Sequence, residues 1–576
     1  MLTRQEYMEL QERFEKEGQA VISSIANVLY GTSQIGRNAL VASAYVLLMA
    51  DDKEVSLASI KDFCLPVNAD ADREAFIESS IGDVWPMVAG QRHRYSAEAL
   101  KSVILFYEDR NARLMDEFKT PTAISRLACR IFGFGENDEV ADFGVGSAAF
   151  ITEAFLDKPD LRFYGIDINA SVKEIAAIKL EVLGCKACLE QGSVFDLDPS
   201  HKYQNIFTNY PFAIKARDLG LDHDRLLQKI MQGSDAFSRR ISSDWFFNAA
   251  AVECLKSGGK AIAIMTNSGT WNTSDISVRK HFIEKGYLEA VIALPSRLFG
   301  STVIAVTMVV LSEHNEKAML VDATGIFEKG RRYNTLSEEQ VNRIAHAALH
   351  ETDISRSVSK KDFAENDYVI NPTRYLASEV VVEEGRPFVD IIKSITRGAS
   401  VRASDLDRMV SDEPTDYQYL MLANIQKGMI ETDLPYLKGI QENHRRYCVK
   451  DRSLIISKNG KPFKIAIAEV KPGKAILASG NLYIVEIDEE KADPFFVKAF
   501  LESKKGTAQL NSVSVGATIS TVGVDALKRI LIPNIPLAKQ HSIAEKYAAK
   551  MEEIALYERK LKKAYEDLAH IYDNEG

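Results

Sequence analysis

Between residues 139 and 322 the chain alternates two patterns. Short runs are apolar throughout, and longer stretches carry apolar residues every three or four positions. The first pattern suits strands buried on both faces, the second helices with one buried face. Strands are predicted over 139–143, 162–166, 190–194, 205–208, 259–266 and 288–294, with helices over 147–156, 171–183, 244–255 and 276–284. Residues 303–311 and 317–322 read as a closing pair of strands. This alternation predicts an α/β fold with a mostly parallel sheet and helices on both faces. In such sheets ligands bind beyond the carboxyl ends of the strands. Asp142, Asp167, Asp196 and Asn209 all fall at or near predicted strand ends.

The flanking segments follow other rules. Residues 1–108 carry helical spacing, as in 96–107, where Ser96 stands in an N-cap position. Tyr30-Gly31-Thr32-Ser33 and Asp51-Asp52-Lys53 punctuate this helical domain. Thr120 is placed to cap a helix continuing through Ile131, with Pro121 in its first turn. The domain opened there runs from 109 to 375. Beyond Asn371-Pro372-Thr373-Arg374-Tyr375, short β-branched strands alternate with Gly, Asn and Lys turns, predicting a smaller α+β domain over 376–535. The final segment, 536–576, reads as one helix of ~50 Å. Its residues Ile543, Tyr547, Met551, Ile554, Tyr557, Leu561, Tyr565, Leu568 and Tyr572 step by threes and fours, a seam for a coiled-coil partner.

Composition narrows the class. With 46% hydrophobic residues in 576, several cores can form. No apolar run approaches the ~20 residues of a membrane span, and the polar opening carries no signal peptide. Six scattered cysteines suit a reducing cytoplasm rather than a disulfide framework. Cys185 and Cys188 have no second pair at zinc spacing, so no metal site is expected. The net charge of −10 argues against a general coat for nucleic acid, yet residues 441–474 hold nine basic and three acidic side chains. Lys450, Arg452, Lys458 and Lys461 within that run are candidates for phosphate contacts.

The chemistry begins at Asp142-Phe143-Gly144-Val145-Gly146-Ser147-Ala148-Ala149-Phe150, a strand end, a tight turn and a helix start. Gly144 and Gly146 permit the turn and close approach of a ligand. Asp167 follows Gly146 by 21 residues, near the spacing of a ribose-binding acid, so a dinucleotide enzyme also fits. Asn209-Tyr210-Pro211-Phe212 points elsewhere. The exocyclic amine of a nucleobase is a poor nucleophile, because its lone pair is conjugated with the ring. The Asn209 side-chain oxygen and the Tyr210 carbonyl would accept its two N–H groups and draw the nitrogen toward a tetrahedral shape. Pro211 stiffens the turn that aims that carbonyl. Phe212 offers a face for a base taken out of the duplex. S-adenosylmethionine would then lie with its amino-acid end at Asp142 and Gly144, its ribose at Asp167 and its adenine near Asp196.

The order of these motifs is similar to that of the modification subunit of type I restriction–modification systems, a class of DNA adenine-N6 methyltransferases. Phe118-Lys119-Thr120-Pro121, the Asp142 loop, Tyr164-Gly165-Ile166-Asp167-Ile168-Asn169, Asn209-Tyr210-Pro211-Phe212 and Val291-Ile292-Ala293-Leu294-Pro295 carry the resemblance. It implies a Rossmann-like class I methyltransferase domain, S-adenosylmethionine as cofactor, and Thr120, Pro121, Gly146 and Ile168 among the cofactor-binding residues. Residues 376–576 resemble half of a specificity subunit, one target-recognition domain with one spacer helix. Val389-Asp390-Ile391-Ile392-Lys393 and Ile532-Pro533-Asn534-Ile535-Pro536 are among its marks. Double-stranded DNA, a restriction subunit and a second copy joined through the last helix are the partners this implies. Two departures stand out: Tyr210 where the family usually has proline, and Ala148 and Ala149 where glycines are common. They raise a second reading, a catalytically silent DNA-binding or assembly subunit. Methylation of a protein glutamine explains neither the basic run nor the last helix, and a dehydrogenase has no use for Asn209–Phe212. Glu489-Glu490-Lys491 resembles the end of a nuclease motif without an upstream acid to complete it.

Overall fold

The computed structural model describes residues 1–30, 36–50, 71–107, 119–198, 200–212, 241–299, 305–331, 333–376, 382, 384–460, 462–515 and 521–569. The breaks expected at 31–33 and 51–53, residue 118, Lys461 and Tyr572 lie outside them. The chain forms two compact units, Met1–Pro372 and Thr373–Gly576.

The first unit is built on a nine-stranded sheet: β1 (Glu139–Phe143), β2 (Arg162–Asp167), β3 (Ala187–Gln191), β4 (Tyr203–Thr208), β5 (Leu255–Thr266), β6 (Leu288–Ala293), β7 (Val306–Leu311), β8 (Lys317–Asp322) and β9 (Ser355–Ser359). Their order is β3-β2-β1-β4-β5-β7-β6-β8-β9. β1 through β5 are parallel, and β7 runs antiparallel between β5 and β6. β7 and β8 therefore do not form a closing pair; β8 lies beyond β6 and parallel to it. The reason is burial. Val306–Leu311 is apolar at nearly every position and buried throughout, so it needs neighbours on both edges, and the centre of the sheet supplies them. The third strand also starts earlier than expected, at Ala187, and its predicted end at 194–196 is a 3₁₀ turn.

Helices cover the sheet faces. Helix α1 (Thr122–Phe132) ends at Gly133, whose φ of +58° closes the left-handed cap. Helix α2 (Ala149–Asp157) follows β1, and α3 (Ala170–Leu183) follows β2. Asn169 caps α3 by accepting from the Ser171 and Val172 amides at 3.1 and 3.3 Å. The N-terminal helices share an apolar core with this helix, Tyr45, Val46, Ile77 and Val103 packing with Ile175 and Ile178. A polar clasp joins the same surfaces. Arg73 donates to Glu174 at 2.8 Å and Glu181 at 2.9 Å, and the Tyr45 hydroxyl donates to Glu181 at 3.0 Å. Lys173 adds ion pairs to Asp72 at 2.6 Å and Glu174 at 3.0 Å. The N-terminal domain thus grips the helix that starts directly after Asp167.

The second unit is α+β. Ile392–Arg397, Leu482–Ile487, Leu454–Ser457 and Ile465–Ile467 form a four-stranded antiparallel sheet, and five short strands including Tyr417–Leu420 and Ala475–Ala478 form another. Helix α4 (Pro494–Glu502) packs against the long final helix α5 (Leu537–Ala569). Half of the expected seam is spent on this packing. Ile543 and Ala544 join the core of the unit, and the Tyr547 hydroxyl bonds Glu502 and accepts from Lys498 at 2.6 Å. Only the outer half, Ile554, Tyr557, Leu561, Tyr565 and Leu568, is exposed. Among the described residues no helix is long and apolar enough to cross a membrane.

Glu174 retains only 6% of its side-chain exposure, and Arg73 and Lys173 share its charge compensation. Arg73→Ala is expected to cost about 1–3 kcal/mol by removing a donor to two carboxylates while Lys173 stays paired with Glu174. Denaturant unfolding checks this. A cost below about 1 kcal/mol would show that the apolar contacts alone hold the N-terminal helices in place.

Candidate active site

Five chain segments meet at the carboxyl edge of the sheet. β1 delivers Asp142 and turns sharply at Gly144 (φ +91°) and Gly146 (φ +52°). The Gly144 and Val145 amides donate to the Ile166 carbonyl at 2.9 and 3.0 Å, which ties this turn to the end of β2. Ala148 then takes a left-handed φ of +59° at the helix start. A Cβ costs about 1–2 kcal/mol in that region. Ala148 thus holds, under strain, a conformation that favours glycine.

Asp142 is only 2% exposed. Its Oδ1 is buried without a hydrogen-bond partner among the described residues. Burial first, and the Asp167 carboxylate second, hold its pKa well above the usual carboxylate range. Asp167 is placed differently. Its Oδ2 accepts from the Gly146 amide at 2.9 Å and its Oδ1 from the Asn169 amide at 2.9 Å. One carboxylate thus fixes both the glycine turn and the approach to α3, and each of its oxygens has further acceptor capacity. Beside it Ile168 is 75% exposed, an isolated apolar side chain at a strand end. Asp196 stands exposed on its 3₁₀ turn, with Phe195 buried beneath.

β4 brings the second motif to the same edge. Asp142 and Phe143 pair with Phe207 and Thr208, and the Thr208 hydroxyl donates to the Phe143 carbonyl at 2.8 Å. A Cβ at Gly144 would stand 4.0 Å from the Asn209 carbonyl oxygen, so the two turns lie side by side at this edge. The Asn209 amide nitrogen donates to the Thr120 hydroxyl at 2.9 Å. Thr120 was expected to cap a helix. Instead the N-cap of α1 is Pro121, with no side-chain cap bond, and the buried Thr120 hydroxyl serves Asn209. That role connects residues 89 positions apart and had no local signal.

Tyr210 is 1% exposed. Its ring stacks on Phe247 at 4.5 Å with 13° between the planes, and its hydroxyl donates to Asn248 at 3.3 Å. Phe247 in turn contacts Phe195 at 4.8 Å, so an aromatic column links the Asn209 turn to the Asp196 turn. Packing here takes over the stiffening that a proline would give. Below it Asp244 accepts from the Thr266 amide at 3.0 Å and hydroxyl at 2.6 Å, while burial pushes its carboxyl up to about 6. Phe247, Asn248 and Asp244 were missed by sequence reasoning. The available signal was a polar Asn248 within an otherwise apolar helical run. Pro211 is exposed. Phe212, expected to present a stacking face, is 6% exposed and packs its ring edge to face against Phe299 at 5.3 Å.

Two of the basic candidates of the second unit are met by acidic side chains. Lys450 pairs with Glu486 at 2.9 Å, and Arg452 with Glu489 at 2.9 Å. Counting charges along 441–474 cannot register acids that arrive from residues 486 and 489. Glu489 and Lys491, the nuclease-like fragment, are likewise engaged, Lys491 with Asp488 at 3.1 Å. Lys458 makes no ion pair among the described residues. No group of three or more metal-ligating side chains occurs among the described residues.

Comparison with known proteins finds similarity to DNA methylases. Residues 101–384 match the family model described as N-6 DNA Methylase. The chain is 22% identical over 318 residues to the type I restriction enzyme MpnII methylase subunit of Mycoplasma pneumoniae, covering 50% of this chain and 58% of that one. It is 24% identical over 329 residues to the MjaVII methylase subunit of Methanocaldococcus jannaschii, covering 52% and 55%. The chain thus spans little more than half the length of the curated relatives it matches. Among solved structures, a nuclease-deletion mutant of the type ISP restriction–modification enzyme LlaGI, in complex with a DNA substrate mimic, aligns with a TM-score of 0.53. The match covers 92% of this chain and 67% of that one at 10% identity, a likeness of fold alone.

Proposed function

We propose, from the match of residues 101–384 to the N-6 DNA Methylase family model, that this chain is a site-specific DNA adenine-N6 methyltransferase of a restriction–modification system. The observation that carries the reading is the closeness of the Asn209 turn and the glycine turn beside a buried carboxyl oxygen that has no protein partner among the described residues. S-adenosylmethionine fits the donor set and would supply a methyl group on a positively charged sulfur. Asp142 would ionise against its ammonium end. Asp167 would use its remaining lone pairs for ribose hydroxyls, while Ile168 would pack on the adenine and Asp196 would face its polar edge. Gly144 and Gly146 leave room at the turn, with Thr120 and Pro121 bordering it.

The bond from Asn209 to Thr120 sets which way the amide faces. The Asn209 oxygen and the Tyr210 carbonyl are then the two acceptors for the amine of an adenine taken out of the duplex. Holding both N–H groups localises the nitrogen lone pair toward the methyl group. The proton leaves only after transfer, so no charged base is required beforehand. Pro211, exposed at the turn, limits the carbonyl's freedom, and Phe212 must swing out from Phe299 to stack on the base. The strain at Ala148 and the burial of Phe212 favour a second reading, a silent DNA-binding or assembly subunit.

Asn209→Ala is expected to lower methyl transfer to duplex DNA by at least roughly 10²–10³-fold, the scale of losing one preorganised polar group. Cofactor binding and the melting midpoint should stay close to the wild type. Near-native transfer by the variant would contradict the assignment. No transfer and no thermal shift with S-adenosylmethionine in the wild type would favour the silent subunit.

Residues 109–375 would form the catalytic domain and 376–535 the target-recognition domain, with 536–576 as spacer and dimerisation helix. Ile554, Tyr557, Leu561, Tyr565 and Leu568 lie exposed along its outer half, a stripe suited to an antiparallel second copy. A restriction subunit remains a further partner on this reading. Light scattering is expected to give twice the 64.2 kDa chain mass, and Leu561→Asp with Leu568→Asp to give the single mass. A monomer at every concentration, with and without DNA, would refute the pairing.

A further inference from the structure

The four-stranded sheet of the second unit ends in a cluster of tight turns. Arg397 pairs with Tyr483, and Tyr483 pairs on its other side with Ile456. Directly paired residues share a face, so Arg397 stands at the rim of the face on which Tyr483 and Ile456 enter the core. Lys458 lies two residues beyond Ile456, on that same face and at the same end. Its amide donates to the Asn481 carbonyl at 2.8 Å, and the Arg397 Nε donates to the Gly480 carbonyl at 2.8 Å. Both cations therefore flank one turn, Gly480-Asn481.

That turn is rigid. The Ala399 amide donates to the Ala478 carbonyl at 2.8 Å, and the Ser479 amide to the Leu420 carbonyl at 2.9 Å. A Cβ at Gly398 would come within 2.3 Å of the Ser479 carbonyl oxygen. The Lys458 carbonyl accepts from Val522 at 3.0 Å, which locks the lysine's own backbone. Two like charges are thus presented from a fixed frame, and among the described residues neither is in an ion pair. This contrasts with Lys450 and Arg452, whose charges are met by Glu486 and Glu489. The cost of the arrangement is visible in Lys458, whose ammonium is pushed below its ordinary range by burial and then by the Arg397 guanidinium. An anion lying between the two would relieve that repulsion.

We infer that Arg397 and Lys458 form a contact for the phosphate backbone of DNA at this end of the sheet, an inference that rests on the reading of the chain as a DNA methylase. An extended polyanion suits the pair better than a single small anion. The two side chains project from strands separated by a third, roughly 10 Å apart at the backbone, and successive phosphates of one strand span a comparable length. The contact carries no sequence information, so it positions the duplex for readout elsewhere.

The test uses the full chain and a labelled duplex over a series of salt concentrations. R397Q with K458Q is expected to weaken binding to every sequence and to flatten the log–log salt slope by about 2 units. R397K with K458R, which keeps both charges, is expected to retain the slope and separates lost charge from lost folding. An unchanged slope in the neutral variant, while the wild type methylates DNA, overturns the contact and leaves the methylase reading standing. A flattened slope from K450Q with R452Q instead would return the contact to those residues and overturn it too. Loss of binding to polyglutamate without any change toward DNA would assign the pair to an acidic polypeptide. A wild type that neither binds duplex DNA nor transfers a methyl group would overturn both this contact and the reading it rests on.

Discussion

A carboxyl group buried at the end of β1 is the constraint around which the first unit is arranged. Asp142 sits where Rossmann-like sheets receive their ligands, 2% exposed and with one oxygen unmatched by any described protein donor. An ionised carboxylate in that position is costly, and neighbouring Asp167 adds repulsion. Both effects favour its protonated form, and a nearby cation would favour the charged one. Everything adjacent is fixed with unusual care. Asp167 spends a lone pair on each of two backbone amides, Thr208 ties β4 to β1, and the glycine turn hangs from the Ile166 carbonyl. Rigid surroundings keep the unmatched oxygen from finding a partner by collapse.

The same edge shows how one rigid motif can replace another. A proline stiffens a turn through its ring. Here Tyr210 is held by burial, a stacked Phe247 and a hydroxyl bond to Asn248. The conformational freedom that tyrosine adds to the unfolded chain is offset by contacts made only in the folded one. Thr120 completes the arrangement from the opposite side, through the amide of Asn209. Two turns from distant parts of the chain are thereby held in register.

Much of this was legible from the sequence, for definable reasons. The parallel strands showed because burial on both faces demands continuous apolar runs, and the turn showed because positive φ favours glycine. Asp142, Asp167 and Asn209 were placed by their position at strand ends. What stayed hidden depends on partners distant in the chain. Thr120 looked like a cap because its bond to Asn209 spans 89 residues. β7 looked like an edge strand because sequence order does not reveal insertion between β5 and β6. Lys450 and Arg452 looked free because Glu486 and Glu489 lie outside their segment. The seam of the last helix looked continuous because spacing does not distinguish α4, which covers its first half, from an external partner.

The account stands on Asp142 receiving the cationic end of S-adenosylmethionine. Titration calorimetry over a range of pH, in buffers of different ionisation enthalpy, tests that most directly. A carboxyl group whose pKa is raised by burial meets an ammonium best once it has lost its proton. Binding should therefore release a proton and tighten as pH rises through the Asp142 range, and Asp142→Asn should remove both effects while weakening affinity. Binding of equal strength at every pH, unchanged in Asp142→Asn, would place the cofactor elsewhere and contradict the account.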